Sequence, residues 1–231
     1  MSVIGALFAL VVESSQFSSI QGVEVVQVVA GSVAEKAGVR KGDVITAWGT
    51  RRPVTPTGLR LAIRNTTGRG LISVKMVGRS VSLDPETLGG FPKSPASFGV
   101  HTIPSLSGKS REMTLKAWEI FDTDRSGSAK LLSAAAEEEL QKGRTTQGIW
   151  LSLAAARTEG GDRFHARILE LTKQLNLVND ASLRAEILND RYWSDPKVSM
   201  DPKQPDHRFW WYQTIDALEK GGYPISAAIL M

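Results

Sequence analysis

Residues 22–76 read GVEVVQVVAGSVAEKAGVRKGDVITAWGTRRPVTPTGLRLAIRNTTGRGLISVKM. Val23, Val25 and Val28-Val29 form a β-branched run, which favours a strand. Ala30-Gly31-Ser32 interrupts it, and Ser32 is placed to cap one helical turn, Val33 to Ala37. Gly38 supplies the left-handed residue that stops that turn. Gly42-Asp43 then leads into a second strand, Val44 to Trp48. Thr55-Pro56 starts a longer helix, with Thr as N-cap and proline where no helical N–H is lost. Leu59, Ala62 and Ile63 recur at helical spacing and mark its core face.

The ordered segment GSVAEKAGVRKGDVI, residues 31–45, resembles a PDZ domain of the bacterial and plastid type, as found in HtrA-like and carboxyl-terminal processing proteases. Val33 departs from the family, which usually has proline there. The resemblance implies a PDZ-like β-barrel or sandwich with two helices over residues 1–83. It also implies a carboxylate-binding loop of pattern x-Φ-G-Φ, matched by Val3-Ile4-Gly5-Ala6, followed by a peptide-accepting strand from Leu7 to Glu13. A signal peptide is the competing account of the apolar run Val3–Val12, but no Lys or Arg precedes it and no A-x-A site follows. In a PDZ groove, loop amides hold a peptide's terminal carboxylate while the peptide adds a strand to a sheet edge. Pro56, Arg60 and Ile63 would line the helix side. Pro56 takes the place of a histidine common in the family, and Arg60 would attract an acidic ligand side chain.

Composition bounds the rest. The chain has 231 residues, 42% of them hydrophobic and 23% charged, which is a globular composition. It contains no cysteine, so disulfides and thiolate chemistry are excluded. Residues 1–83 hold ten Lys or Arg against four Asp or Glu, and the remainder holds 18 against 20. The basic residues are scattered rather than clustered with aromatics, so nucleic acid is not expected as a partner. No run reaches the ~20 apolar residues of a membrane span.

Residues 84–110 carry four prolines among glycines and serines and read as a linker lying against a surface through Phe91, Phe98 and Ile103. An all-α domain is expected over 111–231, giving an α+β chain overall. Its helices cover Ala134–Lys142, Gly148–Arg157, Phe164–Leu175, Ala181–Tyr192 and Arg208–Lys220. LKAWEIFDTDRSGS, residues 115–128, resembles the first half of an EF-hand, with Asp122, Asp124, Ser126 and Ser128 at loop positions 1, 3, 5 and 7. Ser133 stands where the family has its bidentate glutamate, and Lys130 adds a cation, so this is a degenerate calcium loop. The plain alternative is a helix–turn–helix capped by Asp122. GGYPISAAIL, residues 221–230, faintly echoes a second EF-hand half.

Phe209, Trp210, Trp211 and Tyr212 cannot share one helical face, so they are either a contact surface or the centre of a small helical core. His101, His165 and His207 fall in no catalytic motif, and none of the nucleophile-elbow, zincin or phosphate-loop patterns occurs. The expected function is that of a non-catalytic adaptor, scaffold or subunit of a larger assembly, without a required cofactor, binding other proteins or protein C-termini. The alternative is a calcium-tuned regulatory or substrate-recognition partner of a protease or other enzyme. The paired resemblances imply an organelle of bacterial descent, such as a plastid.

Overall fold

The structure, a computed structural model, describes residues 21–66, 71–84, 95–194, 205–224 and 226–227. Five strands form one antiparallel sheet: β1 Val23–Val28, β2 Val44–Trp48, β3 Ile72–Met76, β4 Arg79–Leu83 and β5 Val100–Pro104, in spatial order β4-β3-β2-β1-β5. Among the described residues the sheet is open, with β4 and β5 at its edges; it is not the closed barrel expected. Helix α1, Val33–Lys36, starts at Ser32, whose hydroxyl accepts from the Glu35 amide at 3.2 Å. Glu35 in return accepts from the Gly31 amide at 2.7 Å, so the amides of Glu35 and of Gly31, just before the cap, are satisfied reciprocally. Helix α2, Pro56–Arg64, starts at Thr55, whose side chain accepts from the Gly58 amide at 3.1 Å. Val77-Gly78 closes the β3–β4 hairpin, since Met76 faces Arg79.

The largest departure from expectation lies inside residues 84–110. A short helix α3, Pro95–Phe98, leads into β5, which pairs with β1 over Val28↔Val100 to Val23↔Pro104. The segment read as a linker is thus partly sheet. Phe98 is fully buried and meets Trp48 edge-on at 5.1 Å. Gly99 turns the chain at φ +88°, where a side chain would both be strained and collide with Ser32.

Helices α4 Gly108–Ile120, α5 Arg125–Gln141, α6 Thr145–Glu159, α7 Gly161–Lys173, α8 Ala181–Ser194 and α9 Pro205–Lys220 complete the chain, with a 3₁₀ turn at Leu175–Leu177. Two main cores lie on opposite faces of the β1–β5 pair. One holds Val23, Val25, Trp48, Leu59, Ile63, Phe98 and Val100; the other holds Leu132, Ile149, Leu151, Leu153, Ile168 and Ile103, with Val26 packed against it. Alternation along each strand divides its side chains between the two. Glu24 on β1 takes a two-pronged bond from Arg111 on α4, at 2.5 to 3.1 Å, which raises the arginine's pKa. The buried Glu139 carboxylate accepts from Ser110 at 2.5 Å and pairs with Arg144 at 3.0 Å; Arg144 also donates to the carbonyl of Ser105, just past β5. No described helix is long and apolar enough to cross a membrane.

Candidate functional site

The β5 edge has a defined polarity. Gly99 O accepts from Val29 N at 2.9 Å, and Ser105 N donates to Gly22 O at 2.9 Å, so odd-numbered residues of this stretch turn their backbone groups toward β1. The two-residue period of a strand then directs the N–H and C=O of Val100 and Thr102 to the other side, with the carbonyl of Pro104. Among the described residues no strand pairs with that side; Val100 is nevertheless buried, and Thr102 is half-buried. Pro104 has no N–H, which limits how far any added strand can run.

Helix α2 lies beside β5. At 100° per residue, Leu59, Ala62 and Ile63 face the sheet, and all three are buried in its core. Thr57, Leu61 and Arg64 lie on the opposite face. Leu61 packs there with Ala185 and Leu188 of α8 and Leu218 of α9. Pro56 and Arg60 sit between these faces, Pro56 half-buried and Arg60 exposed. Of the three expected groove residues, Ile63 is therefore core, Pro56 is half-buried and Arg60 lies near α8. Val3, Ile4, Gly5, Ala6 and Leu7 lie outside the described residues.

The outer face of α2 meets a polar cluster. The Thr57 hydroxyl donates to Glu186 of α8, and Arg157 of α6 donates to the same carboxylate at 2.5 Å and to Asp190 at 2.8 Å. Arg60 stands 3.7 Å from Glu186. A cavity of about 240 Å³ lies among these helices, with Arg64, Asn189 and Thr214 also in its wall. Burial works against the Arg157 charge, yet the hydrogen bond to Asp190 and the nearby Glu186 carry its pKa above the ordinary value. Burial raises the Asp190 pKa, outweighing the bond from Arg157 that lowers it. Further along, the Asn65 amide donates to the Ser226 hydroxyl at 2.7 Å, tying the end of α2 to the segment after α9.

The stretch read as a degenerate calcium loop is mostly helix. Asp124 caps α5, accepting from the Gly127 amide at 2.8 Å, so positions 4 to 12, Arg125–Ser133, are helical. Asp122 and Asp124 are exposed on the preceding turn, Ser126 is exposed in the first helical turn, and Ser128 is fully buried. Ser133 accepts from Arg167 at 3.1 Å. The cap is Asp124 rather than Asp122, because the helix begins three residues after Asp122. Among the described residues no cluster of three or more His, Asp or Glu is arranged to hold a metal ion.

No family model, curated protein or solved structure matches this chain.

The β5 edge was missed from the sequence, although a signal was present. Ser97-Phe98-Gly99-Val100 has the same x-Φ-G-Φ pattern as Val3-Ile4-Gly5-Ala6, and a β-branched run follows it. Its prolines and serines pointed to a linker. The Gly99 amide is already bonded to the carbonyls of Pro95 and Ala96, at 2.9 and 3.0 Å. Of the aromatic quartet, Tyr212 is 62% exposed; the side chains of the other three lie outside the described residues. Trp193, at the end of the neighbouring α8, is also 62% exposed.

Proposed function

We propose that this chain is a non-catalytic protein-interaction module that takes up an extended peptide segment along the β5 edge, beside α2. The observation that carries this is the outward N–H and C=O of Thr102, which is half-buried, on a strand unpaired, among the described residues, on that side. Strand addition to a sheet edge draws affinity from main-chain hydrogen bonds and specificity from flanking side chains. By the resemblance, Pro56 and Arg60 of α2 would select an apolar residue and an acidic one. The resemblance in residues 31–45 supports the same mode. One accessible amide offers few bonds, so binding is weak, as suits an adaptor or a subunit that gains strength from a second contact.

The test uses the full chain and Thr102→Pro. Proline removes an outward N–H without touching the β1 ladder, and an edge position tolerates it. Fluorescence anisotropy with hydrophobic-ended octapeptides is expected to show binding by the wild type. Thr102→Pro should lower it at least tenfold with an unchanged melting midpoint. Equal binding by both proteins contradicts uptake at β5. Amidating the peptide adds a second readout: a tenfold loss shows that a terminal carboxylate is held, and no loss shows that strand addition alone suffices.

A further inference from the structure

The face of α2 that turns away from the sheet carries Thr57, Arg60, Leu61 and Arg64, a stripe at helical spacing that walls one side of the cavity of about 240 Å³. Glu186 and Asn189 of α8 stand in the opposite wall. Deep in the wall the polar groups satisfy one another. The Glu186 carboxylate accepts from the Thr57 hydroxyl and from Arg157 at 2.5 Å, and Asp190 holds Arg157 from its other side at 2.8 Å. Toward the mouth, hydrogen-bonding capacity is left over. Among the described residues Arg64 has no ion pair and the Asn189 side chain no hydrogen bond. Arg60, 54% exposed, has only its long approach to Glu186 at 3.7 Å. Two buried hydroxyls in the wall are half used. Ser226 accepts from Asn65, which leaves its O–H to donate, and Ser182 donates to Asp180, which leaves its oxygen to accept.

We propose that this cavity binds a small polyhydroxylated carboxylate, whose carboxylate is held by Arg60, Arg64 and the Asn189 amide and whose hydroxyls meet Ser182 and Ser226. Arginines four residues apart on a helix are neighbours, and a guanidinium fork matches the two oxygens of a carboxylate. The charges of the cluster set the charge of the ligand. Arg60, Arg64 and Arg157 stand against Glu186 and Asp190, so three cations less two anions leave one positive charge. A single carboxylate neutralises it, whereas a phosphate dianion overshoots and lies close to Glu186. Leu61, Ala185 and Leu218 supply an apolar side for a short carbon chain. The volume falls below the about 300–1,000 Å³ of drug-sized sites, which suits a ligand of that length. Because the walls come from α2 on one side and from α8 and α9 on the other, the bound ligand ties the sheet to the helices and stabilises the folded chain by mass action. The site stands apart from peptide uptake at β5, which uses the Thr102 backbone and no arginine.

Gluconate is the probe, with sorbitol as its neutral counterpart, acetate as a carboxylate without hydroxyls, and inorganic phosphate. Each is titrated into the full chain at fixed ionic strength past about 10 mM, where even a ligand of millimolar Kd saturates. The readouts are the NMR shift of the Asn189 side-chain amide and the melting midpoint. Gluconate should move the Asn189 signal saturably and raise the midpoint. Acetate should bind about tenfold more weakly, having lost two neutral hydrogen bonds, and sorbitol should not bind. Arg64→Gln and, separately, Arg60→Gln should each weaken gluconate about tenfold, the loss of one charge-assisted hydrogen bond. Both positions are exposed, so either variant reads the site if the other does not fold. Arg52→Gln, at an exposed arginine outside this cavity, should leave gluconate affinity within about twofold. No saturable shift at Asn189 overturns the site. Sorbitol binding as tightly as gluconate overturns the role of the arginines, and phosphate binding more tightly overturns the carboxylate. Equal losses in Arg52→Gln and Arg64→Gln show diffuse attraction to a basic chain and overturn the assignment to this cavity.

Discussion

Ser128 illustrates how one residue can carry a misleading signal. In D-T-D-R-S-G-S it occupies position 7 of a calcium loop, yet it lies fully buried inside α5, with its hydroxyl unpaired among the described residues. The same letters serve an N-cap equally well: an aspartate, then a glycine three residues on whose amide it accepts. What separates the two outcomes is Ser133, which brings no carboxylate to close a loop and instead accepts from Arg167. A buried hydroxyl without a partner costs free energy, and alanine is also the better helix former. Ser128→Ala is therefore expected to stabilise the protein by ~1 kcal/mol. Urea melts check this; a loss of similar size shows that the hydroxyl has a partner. Asp190 titrates in the opposite sense to most paired acids. Its pKa in the folded chain is raised above the ordinary 3.8, chiefly by burial, so the folded state holds this proton more tightly than the unfolded state does. Its contribution to stability is full below pH 3.8 and is lost as pH rises through the raised value. Asp190→Asn should remove that part of the stability profile, the loss that sets in as pH rises above 3.8. A difference between variant and wild type that does not change as pH rises above 3.8 contradicts the shift.

Among the elements, β1, β2, α1 and α2 were legible because their caps and turns lie within a few residues of the strands they bound. Ser32 with Glu35, and Thr55 with Gly58, are local pairs that a sequence displays directly. Strand β5 was not, since what makes it a strand is pairing with β1, about 75 residues earlier. Its local composition, rich in proline and serine, argued for a linker. The consequence can be measured. Phe98 is fully buried against Trp48, so Phe98→Ala should cost ~3–5 kcal/mol. A loss below 1 kcal/mol would mean that α3 and β5 only rest on the sheet rather than completing it. A fragment ending at Leu83 lacks Phe98, Val100 and the β1 partner strand, and is expected to melt well below the full chain.

At the scale of the whole molecule, the sheet and the helices share structure rather than sitting at two ends of a linker. Val25 and Val100 belong to one core; Val26 and Ile103 belong to or pack against the other. Glu24 with Arg111, and Arg144 with Ser105, fasten the same two strands to the helices. This arrangement leaves α2 between the sheet and α8, with β5 open on one side among the described residues. The central claim is that this side receives a peptide main chain. Amide hydrogen exchange of the full chain tests it most directly. With saturating peptide, the Thr102 amide should slow at least tenfold, while the Ser105 amide, already bonded to Gly22, stays as it was. Peptide binding that leaves the Thr102 amide exchanging at its free rate would contradict the account.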